Sequence, residues 1–134
     1  MTPKSALVKH YMTGKLVTFH PETDVLDAIH ELVTHGIAGA PVVDDHGELI
    51  GMLSELDCMK IALHAGYHGH WGGPVSEYMT TGAETVDADM SIIDLAQQFL
   101  ETTYRRFPVM KDHRLVGQIS RRDVLRALGE IAKG

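Results

Sequence analysis

The sequence has few of the features that assign a chain to a specialised class of protein. It contains one cysteine, Cys58, so an internal disulfide is impossible. No hydrophobic run is long enough to span a bilayer, and the first ten residues lack the unbroken apolar stretch of a signal peptide. Together these absences predict a reducing, cytoplasmic location.

Positive charge is also scarce. The chain has 12 lysines and arginines against 18 aspartates and glutamates, a net charge of -6, which argues against nucleic acid or an anionic membrane as partner. The sequence shows no P-loop, no paired-carboxylate cleft and no nucleophile beside a base, so it predicts neither an enzyme nor a required cofactor. Its 134 residues, 44% of them apolar, suffice for a globular core.

An internal repeat organises what is present. The segment Val8–Thr13 recurs as Val75–Thr80, a shift of 67 positions. After a one-residue deletion in a turn the shift becomes 66, and Leu49–Asp57 then aligns with Leu115–Asp123. The sequence therefore predicts a duplication, with repeat 1 over residues 1–66, a Gly/His-rich linker over 67–74 and repeat 2 over 75–134.

Each repeat is predicted to form a β-α-β-β-α unit. In repeat 1 an extended piece at Val17–Phe19 precedes a helix with Thr23 as its N-cap and Gly36 as its stop. Two strands, Ala40–Asp44 and Leu49–Leu53, lead into a second helix that starts at Ser54, and Glu84–Val86 is the first extended piece of repeat 2. The predicted fold class is α/β (α+β). Because about 60 residues are marginal for an independent fold, the two pseudo-symmetric repeats are expected to pack as one module.

One motif in each repeat carries the chemistry. It comprises a glycine, a serine and an aspartate where a strand ends and a helix begins: Gly51, Ser54 and Asp57, then Gly117, Ser120 and Asp123. The first turn of a helix favours an anion such as phosphate, and a hydroxyl and a carboxylate one turn apart suit ribose hydroxyls. The same spacing also fits a capping box, in which both side chains only satisfy backbone donors.

These motifs resemble those of cystathionine β-synthase-type (CBS) repeats. Ala40-Pro41-Val42-Val43 precedes the first motif and Phe107-Pro108-Val109-Met110 precedes the second, and the resemblance covers the whole chain. The second motif departs from the family pattern at Gln118, where a hydrophobic residue is usual. The resemblance implies a non-catalytic sensor that binds an adenine nucleotide in the clefts between its paired repeats and signals to an effector protein.

The resemblance also implies which residues contact the nucleotide. In repeat 1 they are Thr18, Ala38, Gly39, Ala40, Pro41, Ser54 and Asp57. In repeat 2 they are Thr85, Arg106, Phe107, Pro108, Ser120 and Asp123. The aspartate is expected on the ribose, the serine near the ribose or phosphate, and the proline segment around adenine. The motif does not choose among AMP, ADP, ATP, NAD and S-adenosylmethionine.

The two motifs differ in charge. Repeat 2 contains Arg121 and Arg122 where repeat 1 has Glu55 and Leu56, and Arg105 and Arg106 come just before its proline. Guanidinium groups pair with phosphate oxygens. The second cleft is therefore predicted to bind the charged end of the nucleotide, and the first to be empty or to take a less anionic ligand.

Two further functions compete with nucleotide sensing. His64, His68 and His70 could make the chain metal-responsive, although their spacing matches no known ligand pattern. The module could instead serve only as a structural dimerisation unit. The helix from Leu56 to Ala65 is apolar on two stripes, which predicts a partner surface: Leu56, Met59 and Leu63 lie on one, and Cys58, Ile61, Ala62 and Ala65 on the other. The resemblance to CBS pairs, which commonly dimerise through their helices, implies that the partner is a second copy and hence a homodimer. Cys58 is predicted to be a buried packing residue, since Val124 is its counterpart in repeat 2.

Overall fold

The structure, a computed structural model, describes residues 6–69 and 71–134. The elements in chain order are α1 (Val25–His35), β1 (Gly39–Val43), β2 (Leu49–Ser54), α2 (Glu55–His68), β3 (Val86–Asp87), α3 (Ile92–Leu100), β4 (Arg106–Lys111), β5 (Arg114–Ser120) and α4 (Arg121–Ala132). Short 3-10 turns occupy Val8–His10 and Val75–Glu77. The predicted mixed α/β class is confirmed. Within the described residues, none of the helices has the length and apolar character needed to cross a membrane.

The chain packs into two compact units. We call Val17–Ala83 the first-repeat unit, and the described residues up to Leu16 together with Glu84–Gly134 the second-repeat unit. The segment before Val17, which is part of the first copy in sequence, therefore packs with the second copy, and residues 75–83 pack with the first. The division at 1–66, 67–74 and 75–134 stays a prediction about the duplication, whereas the packing follows the two units.

In the first-repeat unit, β1 and β2 form an antiparallel hairpin with Gly39 opposite Ser54. Phe19 makes a single parallel bridge to Val42, so the predicted extended piece at Val17–Phe19 is reduced to one paired residue. The core contains apolar side chains from the hairpin, both helices and the second 3-10 turn, including Phe19, Val25, Leu32, Val42, Leu53, Cys58, Ile61, Val75 and Tyr78.

In the second-repeat unit, β3, β4 and β5 form one sheet, with β3 parallel to β4 and β5 antiparallel to it. The strand predicted at Glu84–Val86 lies slightly later, at Val86–Asp87, because Val86 is the residue that pairs with Val109. The core again combines sheet, helices and a 3-10 turn: Val8, Tyr11, Val86, Ile92, Leu95, Phe99, Phe107, Val109, Ile119, Val124 and Ala127 are among its members.

Only the C-terminal end of α1 lies where the sequence predicts it. Gly36 is the C-cap, with a left-handed φ of 62°, as predicted. The predicted N-cap, Thr23, is wrong by one residue, because the side chain of Asp24 accepts the Leu26 N–H at 2.8 Å. Aspartate is at least as good an N-cap as threonine.

Helix α2 extends beyond its predicted end. It continues through Gly66 to His68, so residues 67 and 68 of the predicted linker are helical. The helix stops at Gly69, whose φ is 73° and whose N–H donates to the Ala65 carbonyl at 2.9 Å. A glycine inside a helix lowers the stability of the helix by only about 1 kcal/mol relative to alanine, so the helix can continue through Gly66. Its C-cap is the second glycine, Gly69, three residues later.

Candidate functional site

The first motif lies where β2 ends and α2 begins. Ser54 Oγ accepts the Asp57 N–H at 3.1 Å, and Asp57 Oδ2 accepts the Ser54 N–H at 2.9 Å. This reciprocal pair is a complete capping box. The structural role that competed with ligand binding in the sequence is therefore present, and it occupies only one oxygen of the carboxylate.

The second oxygen of Asp57 is also occupied. Asp57 Oδ1 accepts from Lys60 Nζ at 2.9 Å and from Thr80 Oγ1 at 3.0 Å. The residue is 6% exposed. Burial by itself would raise the pKa of Asp57, but the hydrogen bonds from Lys60, Ser54 and Thr80 outweigh it and hold the pKa below its ordinary value. The carboxylate is thus ionised and fully engaged within its own unit.

The second motif repeats this geometry between β5 and α4. Ser120 Oγ accepts the Asp123 N–H at 3.2 Å, and Asp123 Oδ2 accepts the Ser120 N–H at 2.9 Å. The Ser120 hydroxyl lies 3.0 Å from the same carboxylate oxygen and donates to it. A capping box is again complete, so the two junctions share one local construction.

The two aspartates differ at the other oxygen. Among residues 6–69 and 71–134, Asp123 Oδ1 accepts one hydrogen bond, a long one of 3.4 Å from Arg126 Nη2. The same guanidinium nitrogen also donates to the Tyr11 carbonyl, at the shorter distance of 3.1 Å. Its hydrogen bond to Asp123 is therefore the weaker of the two. The Asp123 side chain is 20% exposed, against 8% for Asp57. Asp123 consequently retains an accessible acceptor that Asp57 has lost.

The structure brings the other predicted segments next to each motif. The Ala38 carbonyl accepts the Glu55 N–H at 2.9 Å, and Phe19, the residue after Thr18, donates its N–H to the Pro41 carbonyl at 2.9 Å. In the second-repeat unit the Arg105 carbonyl accepts the Arg121 N–H at 3.0 Å. Thr85 directly precedes β3, which pairs with β4. Both threonines are exposed.

Besides Asp57, four of the predicted contact residues have buried side chains, and all four are apolar: Ala40, Pro41, Phe107 and Pro108. Phe107 packs against the Phe99 ring with the two centroids 4.8 Å apart. Because these side chains are packed inside their units, this part of each junction can contact a ligand chiefly through backbone atoms. Gly39 and Arg106 lie at the strand ends, opposite Ser54 and Ser120.

Arg105, Arg106, Arg121 and Arg122, the four arginines in or near the second motif, are all exposed. Within the part of the chain that the structure describes, one of the four side chains has a hydrogen-bond partner. Arg121 Nε donates to the Tyr104 carbonyl at 2.9 Å. Arg105, Arg106 and Arg122 make no ion pair with any of the residues that the structure describes. Three guanidinium groups near the start of α4 therefore remain available to an anion.

The histidine cluster is only partly described. His64 Nδ1 lies 2.9 Å from the Tyr78 hydroxyl, which itself donates to the Gly72 carbonyl at 2.7 Å. His64 thus helps to fasten the end of α2 to the chain that follows. The side chain of His68 and all of His70 lie outside the described residues. Among those that are described, no group of three or more potential ligands could hold a metal ion.

Sequence reasoning missed the residues that partner the motif aspartates. Lys60 and Arg126 are three positions beyond Asp57 and Asp123, and both donate toward a tyrosine carbonyl, Tyr78 at 3.4 Å or Tyr11 at 3.1 Å. The internal repeat held the signal, since a basic residue occurs at the same place in both copies. No pattern in the sequence indicated that Thr80, which belongs to the second copy, packs in the first-repeat unit and donates to Asp57.

Comparison with known proteins places this geometry in a family. The family model described as "CBS domain" matches residues 8–64 and 75–130. The CBS domain-containing protein YhcV of Bacillus subtilis is 33% identical over 93% of this chain and 82% of its own length. Against the protein MJ1225 of Methanocaldococcus jannaschii the identity is 27% over 91% of this chain, which spans only 42% of that protein.

Solved structures similar to this chain contain different ligands. CBSX2 of Arabidopsis thaliana, in complex with AMP, has a TM-score of 0.80 and 32% identity over 95% of this chain and 98% of its own. The CBS domain pair of MJ0100, with 5'-methylthioadenosine and S-adenosyl-L-methionine, has a TM-score of 0.70 and 27% identity over 93% and 97%. Hypoxic Response Protein I, with two coordinated zinc ions, has a TM-score of 0.73 and 26% identity over 90% and 98%.

Proposed function

The chain belongs to the CBS domain family as a tandem pair of repeats, and we propose that it is a non-catalytic regulatory module that binds an adenine nucleotide and signals to a partner protein. Its similarity to CBSX2 in complex with AMP supports the ligand class. An adenine base and ribose are also common to the ligands of MJ0100. AMP, ADP and ATP are the ligands we propose first, because the second motif is rich in arginine.

The observation that carries this proposal is the accessible carboxylate oxygen of Asp123 beside three arginines that make no ion pair within the described part of the chain. The one hydrogen bond that the described residues give Asp123 Oδ1 is the 3.4 Å contact with Arg126, so ribose hydroxyls can replace a weak partner. Arg105, Arg106 and Arg122 are exposed near the N-terminus of α4, where the helix dipole also favours phosphate. We assign Asp123 to the ribose, Ser120 to the ribose or phosphate, and these arginines to the phosphate oxygens.

The first motif is proposed to be the weaker site. A ribose would have to displace both Lys60 and Thr80 from Asp57, which are 2.9 and 3.0 Å away. Glu55 stands where the second motif has Arg121 and repels phosphate. Thr18, Ala38–Pro41, Ser54 and Asp57 therefore bind no nucleotide or a less anionic one.

A homodimer is part of the proposal. Leu56, Met59 and Leu63 on α2 are 75%, 64% and 67% exposed. On the other stripe Cys58, Ile61 and Ala65 are buried, and burial raises the pKa of the Cys58 thiol. Three large apolar side chains on one face of a helix suit contact with another subunit. The cytoplasmic location stays a prediction from the sequence.

Calorimetric titration with AMP and ATP tests which motif binds. Asp123→Asn and its matched control Asp57→Asn each keep an oxygen that can cap the helix. We expect Asp123→Asn and Arg122→Ala to weaken binding by roughly ten- to a hundredfold, the effect of losing a charge-assisted hydrogen bond, and Asp57→Asn to change it little. Unchanged affinity in the first two variants, with loss in the third, would overturn the assignment.

A thermal-stability panel separates the competing functions. AMP, ATP, NAD, S-adenosylmethionine and zinc are added in turn to the wild-type protein, since a ligand raises the melting temperature when it binds only the folded state. A shift with nucleotides supports our proposal. A shift with zinc alone, abolished in a His64→Ala/His68→Ala/His70→Ala variant, supports the metal-responsive module. No shift with any ligand leaves the structural dimerisation unit.

A further inference from the structure

Arg126 lies between the carboxylate of Asp123 and the first 3-10 turn. Its Nη2 donates to the Tyr11 carbonyl at 3.1 Å and to Asp123 Oδ1 at 3.4 Å. The guanidinium carbon also lies over the Tyr11 ring, 5.4 Å from the centroid, which is within the range of a cation–π contact. Tyr11 therefore binds Arg126 twice, through a carbonyl oxygen and through a ring face, whereas Asp123 accepts a single long hydrogen bond from it.

Tyr11 is itself held firmly in the second-repeat unit. It is buried, and its N–H donates to the Val8 carbonyl at 3.0 Å. The Tyr11 hydroxyl hydrogen-bonds to the Glu130 side chain, and this bond, more than burial, raises the pKa of Tyr11. Because the tyrosine is fixed at its backbone and at its hydroxyl, the position of the Arg126 guanidinium follows from the position of Tyr11.

The first motif provides an internal comparison, because its equivalent basic residue is a lysine. Lys60 Nζ lies 2.9 Å from Asp57 Oδ1 and 3.4 Å from the Tyr78 carbonyl oxygen, the reverse of the order at Arg126. An ammonium group is a compact charge on a flexible stem, whereas a planar guanidinium also stacks on an aromatic face. The type of basic residue therefore correlates with which acceptor, carboxylate or tyrosine carbonyl, has the shorter bond.

We propose that Arg126 sets the affinity of the second motif for ribose: Tyr11 holds the guanidinium away from Asp123, which keeps Oδ1 open to the ribose hydroxyls. The inference rests on the nucleotide-binding function proposed above. It makes Arg126 and Tyr11 positioning residues that act through Asp123. Because Tyr11 is the C-cap of the turn Val8–His10, the pair also couples the ribose site to that turn, and a shift of the turn changes the affinity for the nucleotide.

Two substitutions of Arg126 have opposite expected effects in calorimetric titration with adenosine, which has a ribose but no phosphate. Arg126→Lys introduces the residue type that lies 2.9 Å from the carboxylate in the first motif, so it should weaken binding about tenfold. Arg126→Met keeps an unbranched side chain and removes the cation that competes with ribose, so it should strengthen binding several-fold. A purely structural role of Arg126 would move both affinities in the same direction.

Arg114→Lys is the matched control, since Arg114 is exposed and begins β5 at the end opposite Ser120; this exchange should leave the affinity unchanged. Weaker adenosine binding in Arg126→Met, or unchanged binding in Arg126→Lys, would overturn the inference. The proposed function would stand in either case if the wild type binds AMP. A wild type that binds neither adenosine nor AMP would instead overturn the proposed function and, with it, the role of Arg126.

Substitution of Tyr11 tests the coupling from the other side. Tyr11→Leu removes the ring face, so it should weaken adenosine binding, and Tyr11→Phe should restore most of the affinity because it keeps the ring. In the Arg126→Met background Tyr11→Leu should have no further effect, and an equal loss with and without Arg126 would overturn the positioning role of Tyr11. The Arg126 side chain is 53% exposed, so its variants should fold even if Tyr11→Leu does not.

Discussion

At the scale of single residues, two aspartates of the same motif have different surroundings. Asp57 gives one oxygen to the cap and the other to Lys60 and Thr80. Asp123 gives one oxygen to the cap and keeps the other nearly unbonded. A buried carboxylate is stable only when its charge is compensated, so Asp57 serves its own unit while Asp123 is suited to an external partner.

The bonds of Asp57 predict a pH dependence of stability. Its folded-state pKa lies below the ordinary value of 3.8, so the folded state binds fewer protons than the unfolded state near that pH. The contribution is present above pH 3.8 and is lost as the pH falls through the lowered folded pKa. Urea unfolding between pH 6 and pH 3 should show a weaker acid dependence in Asp57→Asn than in wild type.

Two comparisons sharpen that measurement. Lys60→Met keeps the carboxylate but removes a hydrogen bond that lowers its pKa, so it should lose part of the acid dependence. Asp44 and Asp89 also have lowered pKa values, and some dependence should therefore remain in every variant. An unchanged slope in Asp57→Asn would contradict the assignment.

At the scale of elements, replacing glycine by alanine is expected to change stability in opposite directions in the strands and in the helices. A Cβ on Gly117 in β5 would lie 2.7 Å from Met12 Sδ and 2.8 Å from the Thr13 carbonyl oxygen. On Gly51 in β2 it would lie 2.7 Å from Met79 Sδ and 3.1 Å from a carbonyl oxygen. A thioether can move aside, whereas a backbone oxygen held in a bridge cannot do so cheaply.

Alanine at these positions should therefore act in graded fashion. Gly117→Ala should lower the free energy of unfolding by roughly 1–3 kcal/mol, and Gly51→Ala by less. Gly129→Ala in α4 and Gly66→Ala in α2 are the matched controls, because no described atom lies within 4 Å of their added Cβ. Each control should stabilise by up to about 1 kcal/mol. Chemical unfolding followed by circular dichroism measures all four, and equal effects in strands and helices would contradict the steric account.

At the scale of the whole molecule, the first 3-10 turn of each repeat packs in the unit formed by the other repeat: Val8–His10 in the second-repeat unit and Val75–Glu77 in the first-repeat unit. The Val8 N–H donates to the Met90 carbonyl at 2.9 Å, and the Val75 N–H donates to the Thr23 carbonyl at 2.8 Å. Both valines are fully buried. Each unit is consequently completed by a segment that lies far away in sequence.

This exchange predicts where a core mutation acts. Val8→Ala should destabilise the second-repeat unit and Val75→Ala the first-repeat unit, each by roughly 1.5–3 kcal/mol for the lost methyl groups and the cavity. Hydrogen exchange of backbone amides distinguishes them: Val8→Ala should raise exchange in α4 more than in α2, and Val75→Ala should do the opposite. Loss of protection within the repeat that carries the substitution would contradict the exchange.

The sequence by itself determined the family, most of the element order and the serine–aspartate spacing that forms both capping boxes, whereas several element boundaries lie one to three residues from their predicted positions. These depend on local spacing, which is readable because a strand, a turn or a helix N-terminus is built from neighbouring residues. Where two local signals competed, as for Thr23 and Asp24 or for Gly66 and Gly69, the prediction missed by one to three residues.

Only the tertiary structure decided how the surroundings of the two motif aspartates differ. The bond from the Thr80 hydroxyl to Asp57 joins residues 23 positions apart. Thr13, the equivalent threonine, makes the same backbone bridge, to Gln118 as Thr80 does to Met52, but among the described residues its hydroxyl makes no hydrogen bond to Asp123. No local pattern distinguishes these outcomes, because both copies contain the same Tyr-Met-Thr segment. Long-range packing is responsible for the difference, because it places the Thr80 hydroxyl against the buried carboxylate of Asp57 and leaves the carboxylate of Asp123 partly exposed to solvent.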